Sequence, residues 1–135
     1  MKAHIARTPK IALAWNLDAA SAAALAAAAA PVGMQVKPVT PDHLGEPIAQ
    51  LCGLPLPRRV EPFTGSGEEF PGAVLFCGLS DAELDRVLSG LRGVKIPLKA
   101  TSTPTNQGWA LGRLLGELMA ERAAFAAGQA AHPAP

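Results

Sequence analysis

AVLFCGLSDAELDRVLSGLRGVKIPLKATSTPTNQGW, residues 73–109, decides the fold. Residues 73–79, AVLFCGL, form a nearly unbroken apolar run, as expected of a strand covered on both faces. Ser80 and Glu83 in S-D-A-E make a capping box at the start of a helix over 81–92. Leu84, Val87, Leu88 and Leu91 then recur at helical spacing. Residues 94–100, VKIPLKA, alternate apolar and polar as a half-covered strand does. A last helix is expected over 106–124, with Trp109, Leu111, Leu114, Leu115 and Leu118 on its apolar face. The order is therefore β-α-β-α.

Working towards the N-terminus, the same order returns. Residues 11–17, IALAWNL, are a short apolar run. Residues 19–30 are almost all alanine, the strongest helix former. Asp18 is placed to cap that helix, and Pro31 with Gly33 to end it. Residues 34–39, MQVKPV, alternate, and 42–52 read as a second helix begun by Thr40-Pro41-Asp42. The halves match at an offset of about 63. Asp18 meets Asp81, Leu25 meets Leu88, Thr40-Pro41 meets Thr103-Pro104, and Gly45 meets Gly108. Ile48 meets Leu111, Leu51 meets Leu114, and Gly53 meets Gly116. One residue of slip is needed at the second strand. The pattern predicts an internal duplication: a first βαβα half over 11–53, a linking loop over 54–72, and a second half over 73–124. The Ala/Pro-rich tail 125–135 is expected to be flexible. Loops as long as 54–72 are uncommon in compact domains and usually functional or mobile.

Alternating strands and helices imply an α/β fold with a mainly parallel sheet and right-handed crossovers. The continuous apolar strands, 11–17 and 73–79, belong at the centre. The alternating ones each carry a proline, Pro38 and Pro97, which lacks the N–H a ladder needs and so belongs at an edge. The expected order is 2-1-3-4, with helices on both faces. A ferredoxin-like α+β sheet is the alternative.

Composition narrows the function classes. The 135 residues fit one domain with a real core, 17% are charged, and the net charge is +1. No basic face or tail stands out, so neither nucleic acid nor an acidic membrane is an expected partner. Two Trp, four Phe and no Tyr argue against a base-stacking surface. Cys52 and Cys77 form no CxxC and have no histidine nearby, so they read as two buried small apolar residues. Lys2, Arg7 and Lys10 before Ile11–Trp15 resemble a signal peptide, but Asn16 and Asp18 break the apolar stretch too soon. The cytoplasm is the expected compartment. GSGEEFPG lacks the lysine and following helix of a phosphate loop. No cofactor and no metal are expected.

In a parallel sheet wound this way, the loops after strands 1 and 3 diverge and leave a crevice at their carboxyl ends. Its expected lining is Asn16 and Asp18 from the first half, and Cys77, Gly78 and Ser80 from the second. Thr40, Asp42 and His43 flank one side. Thr103, Thr105, Asn106 and Trp109 flank the other. Each also has a simpler structural role. Cys77 precedes a helix N-terminus, where a thiol pKa falls, but a core cysteine needs no such role. His43 beside Asp42 offers a general base, or a surface cap. Asp18 and Asp81 are placed as a carboxylate pair, or as two capping residues. Trp109 offers a stacking face, or core packing. Arg58-Arg59 reads as a solvated pair, and His4 and His132 lie in the ends of the chain.

The second half also resembles an uncharacterised bacterial family known only as a domain of unknown function. LFCGLSDAELDRVL at 75–88, LKATSTPTNQGW at 98–109 and LGRLLGEL at 111–118 carry the likeness. The residues that recur in that family are here Lys99, Thr103, Asn106 and Trp109. The first half departs from it, with His43 and Glu46 where Asn106 and Trp109 stand. The resemblance implies no activity. The leading expectation is a non-catalytic module binding a small molecule or a protein at the carboxyl edge of its sheet. The alternatives are a small enzyme acting on an anionic metabolite there, and a structural subunit that forms homo-oligomers through an exposed apolar patch.

Overall fold

The computed structural model describes residues 9–55, 63, 65, 67, 68 and 70–131, with side chains to residue 126. Arg58-Arg59, His4, His132 and much of the linking loop lie outside the described residues. The strands are β1 (Ile11–Trp15), β2 (Gln35–Val39), β3 (Ala73–Cys77) and β4 (Leu98–Thr101). The helices are α1 (Ala19–Ala29), α2 (Ile48–Leu51), α3 (Asp81–Gly90) and α4 (Leu111–Ala131). The sheet order is β2-β1-β3-β4, as expected.

One expectation is corrected. β1 and β2 are parallel, and β3 and β4 are parallel, but β1 runs antiparallel to β3. The sheet is mixed, not mainly parallel. Apolar content identifies a strand as central but says nothing of its direction. Two right-handed βαβ units joined end over end put both crossover helices on one face. That is where they are: α1 and α3 pack together over Ala12, Val74 and Phe76. Their approach is close enough that a Cβ on Gly90 would sit 3.2 Å from Ala28 Cβ. The other face, Ile11, Leu13, Trp15, Ala73, Leu75 and Cys77, is covered by α2 and α4 through Ile48, Leu51, Leu111, Leu114 and Leu115.

The two units share several local features, placed alike about the middle of the molecule. Leu13 lies opposite Leu75. Asn16 after β1 and Gly78 after β3 both adopt left-handed backbone, at φ 52° and 82°. Asp18 and Ser80 both cap the following helix, accepting from Ser21 N at 2.7 Å and Glu83 N at 3.1 Å. The offset is thus 62 through the first strand and helix, so Asp18 corresponds to Ser80 and Leu25 to Val87, not to Asp81 and Leu88. From the second strand onward it is 63. Pro47 bridges Ala110, Ile48 N donates to Trp109 O at 2.9 Å, and Leu111 N donates to Glu46 O at 2.9 Å. Each of these bonds maps onto the other when residue i is exchanged for i+63.

That bridge also shortens the expected helices. Gly45 and Pro47 split 42–52 into a 3₁₀ turn, Pro41–His43, and the four-residue α2. Likewise Asn106–Gly108 is a 3₁₀ turn, and α4 begins only at Leu111. At its far end α4 continues through the alanine-rich stretch to Ala131, seven residues past the expected 124. Pro97 stands just outside β4, whose first ladder N–H, from Leu98, goes to Gly72 O at 3.1 Å. Among the described residues, no helix is long and apolar enough to cross a membrane.

An ion pair joins the units. Lys10 Nζ, just before β1, meets Glu83 Oε2 in the first turn of α3. Lys10, then the Ser80 N–H, hold the Glu83 carboxyl below the usual carboxylate range. Ser21 does the same to Asp18. A carboxyl whose folded pKa is lowered adds stability above its unfolded pKa and loses it as pH falls through the folded value. Urea midpoints are therefore expected to fall on the acid side of the carboxylate range. Lys10→Met is expected to flatten that limb, as urea titration at stepped pH will read.

Candidate functional site

The antiparallel joint divides the expected crevice in two. The carboxyl ends of β1 and β2 lie at one end of the sheet, and those of β3 and β4 at the other. At about 3.3 Å per residue, the ends of a five-residue strand are about 13 Å apart. Asn16 and Asp18 sit at the first end. Cys77, Gly78, Ser80, Thr103, Thr105 and Asn106 sit at the second. Trp109 belongs to neither. It lies over the middle of the helical face, where its carbonyl receives Ile48 N. The expected lining therefore does not come together at one end of the sheet.

At the second end the side chains are engaged in holding the chain. Asn106 is buried, its Oδ1 accepts Thr103 N at 2.8 Å, and its Nδ2 donates to Thr101 O at 3.1 Å. In return Asn106 N donates to Thr103 Oγ1 at 3.0 Å. The T-P-x-N pattern is thus a reciprocal cap that turns the chain after β4. His43 does the same after β2, where Thr40 N donates to His43 Nδ1 at 2.9 Å. That bond requires an unprotonated Nδ1, so the neutral ring carries its proton on Nε2. Ser80 is spent on the α3 capping box. Trp109 has one ring face under Arg113, whose guanidinium carbon lies 4.2 Å from the centroid. Lys99 Nζ donates to Ile96 O at 3.1 Å. Thr105 is exposed.

The first end holds a cavity of about 300 Å³, lined by Trp15, Asn16, Val39, Thr40, Pro41, Gly67, Glu68 and Phe70. Its floor is aromatic. Trp15 and Phe70 meet edge to face, with centroids 6.3 Å apart and planes at 68°. Trp15 Nε1 donates to Phe70 O at 3.5 Å, anchoring the returning loop to the end of β1. Gly67 lets that loop approach. Its φ is +83°, and a Cβ there would come within 2.6 Å of Leu44 Cδ1 and 3.2 Å of the Trp15 ring. The polar rim is Asn16, Thr40 and Glu68.

Asn16 and Thr40 were legible in the sequence as residues of this edge. Trp15, Val39, Pro41, Gly67, Glu68 and Phe70 were not assigned to a site. The first three adjoin the predicted strand ends, so their place was within reach. The loop residues carry no period or motif, and only the structure brings them back over β1.

Among the described residues no group of His, Cys, Asp and Glu is arranged to hold a metal ion. Residues 72–125 match a family model described as Domain of unknown function (DUF3783). The match runs from the residue before β3 into α4, and so covers the second unit and its reciprocal cap. It does not reach the cavity residues of the first unit. No curated protein and no solved structure matches the chain.

Proposed function

We propose that this protein is a non-catalytic module that binds a small molecule at the carboxyl ends of β1 and β2. The cavity of about 300 Å³ with its Trp15–Phe70 floor carries this reading. Small-ligand sites combine an apolar body with a few fixed polar groups, and this one offers Asn16 and Thr40 at its rim. A flat, compact ligand fits best, with its ring on the aromatic floor and an amide-like edge towards Asn16 and Thr40.

The reading treats the two units as copies of one βαβα module that have diverged. The matched left-handed turns, matched caps and the exchanged bonds of residues 46–48 and 109–111 support it. One copy opened a cavity at its carboxyl end, and the other closed that space. Free thiols at Cys52 and Cys77 accord with a reducing, cytoplasmic setting.

Asn16 provides a test, because it holds left-handed backbone that costs any residue but glycine. Asn16→Gly is expected to be neutral or stabilising, within about 1 kcal/mol. It is also expected to weaken binding of benzamide and related aromatic amides roughly fivefold or more, through the lost side-chain hydrogen bond. Thermal-shift titration of both proteins reads the two effects together. Equal shifts in wild type and variant would overturn the assignment of Asn16. A flat response to the whole amide panel would overturn the proposed ligand chemistry.

A further inference from the structure

The sheet ends in two open edges, and they are unlike. β4 has β3 on one side and no described strand on the other. Leu98 N and Ser102 N donate towards β3, to Gly72 O at 3.1 Å and Phe76 O at 2.8 Å. Backbone groups alternate in direction along a strand, so those of Pro97, Lys99 and Thr101 face outward. All three residues are exposed. Pro97 has no N–H to offer. Thr101 O is already taken, by Asn106 Nδ2 at 3.1 Å. What remains outward is Pro97 O, both groups of Lys99, and Thr101 N. On the β2 edge Gln35 N donates to Lys10 O, which turns Val36 and Pro38 outward. Pro38 has no N–H and Met34 N is bonded to Ala29 O, so Val36 N is the donor left there.

A groove of about 380 Å³ runs beside the β4 edge, between Pro97 and Leu98 and the α4 residues Leu118, Glu121, Arg122 and Phe125. Phe125 is 66% exposed, the exception among large apolar side chains of the described residues. Glu121 and Arg122 carry opposite charges, and among the described residues neither has an ion-pair partner.

We propose that this face pairs with a second copy of the chain, β4 against β4, antiparallel and centred on Lys99. In that register Lys99 exchanges both backbone bonds with its own copy, and Thr101 N of each chain donates to Pro97 O of the other. The donor that Pro97 lacks is one that Thr101 O does not need, because Asn106 has filled it. A slip of two residues sets Lys99 N against the occupied Thr101 O, or Lys99 O against Pro97. Leu98 and Ala100, on the α2 and α4 face, stand opposite each other across the seam and extend that apolar cluster into the partner. Like charges placed opposite oppose pairing, but Lys99 Nζ turns back along its own strand to Ile96 O at 3.1 Å. In the antiparallel copy the same turn carries the ammonium the other way. The two-fold axis stands perpendicular to the sheet, so both α4 helices flank the seam on one face. A two-fold interface meets itself, and a patch carrying both signs is complementary to its own copy. Glu121 and Arg122 supply both signs, and Phe125 lies where the partner covers it.

The test is sedimentation of the full chain over a dilution series, with amide exchange read at the edge. The expected species has about twice the mass of the 13.9 kDa chain. In it the Lys99 and Thr101 amides are expected to be protected, while Val36 exchanges faster. Thr101→Pro removes the outward donor without touching a bond to β3, and is expected to give a monomer whose circular dichroism matches the wild type. Phe125→Glu, at an exposed position of α4, is expected to weaken the dimer roughly tenfold, and serves where Thr101→Pro does not fold. A wild-type monomer at every concentration would overturn the proposal. So would a dimer whose Lys99 and Thr101 amides exchange freely, because another surface, such as the alanine face of α1, would then form the interface.

Discussion

Ile48→Ala is expected to lower the unfolding free energy by about 3–4 kcal/mol, in the upper part of the range for large-to-small core changes. Ile48 is 0% exposed and starts α2 beside the bridge of Pro47 to Ala110. Its side chain lies in the cluster that joins α2, α4 and the sheet, so truncation leaves a cavity the surroundings cannot fill. Its N–H donates to Trp109 O, which fixes the backbone and prevents collapse onto the gap. Leu111 is its counterpart in the second unit and is also buried. Leu111→Ala is expected to cost a similar amount. Because both residues belong to one cluster, the double variant is expected to depart from additivity by 0.5 kcal/mol or more, roughly. Urea denaturation of the four proteins reads all three numbers. A loss under about 1 kcal/mol for either single change would mean that the two units do not meet where residues 46–48 and 109–111 place them.

Asn106→Ala is expected to cost about 2–3 kcal/mol. The change removes a buried carboxamide and leaves Thr103 N and Thr101 O without partners. It also removes one half of the reciprocal cap. His43→Asn is expected to change stability by less than about 0.5 kcal/mol, since Asn106 already performs the same turn in the other unit. The contrast separates two accounts of Asn106. If it serves a bound ligand and not the backbone, Asn106→Ala will leave the urea midpoint unchanged.

The elements and the strand order could be read from residues, because apolar continuity, proline position and capping residues are local signals. Strands 11–17 and 73–79 announced themselves as central, and Pro38 and Pro97 marked the edges. The relative direction of β1 and β3 could not be read that way. It depends on packing between residues far apart in the chain, which leaves no local signal. That one unknown moved half of the expected site to the other end of the sheet. Asn16 and Thr40 stayed beside a cavity, because their place follows from the ends of β1 and β2 alone. Cys77 and Asn106 kept their positions after β3 and β4 but lost the partners expected across a shared crevice. The alanine run at 22–30 fits at more than one offset, and an offset of about 63 needs one residue of slip. The caps Asp18 and Ser80 set the register that Leu25 and Leu88 obscured.

The most direct measurement is an amide and indole ¹H–¹⁵N spectrum of the full chain, titrated with benzamide. The expected result is saturable movement of the Trp15 indole and of the Asn16, Thr40 and Gly67 amides, while Gly78, Ser102 and Thr103 stay in place. Movement confined to Gly78, Ser102 and Thr103, or to the Trp109 indole, would contradict a binding site at the carboxyl ends of β1 and β2.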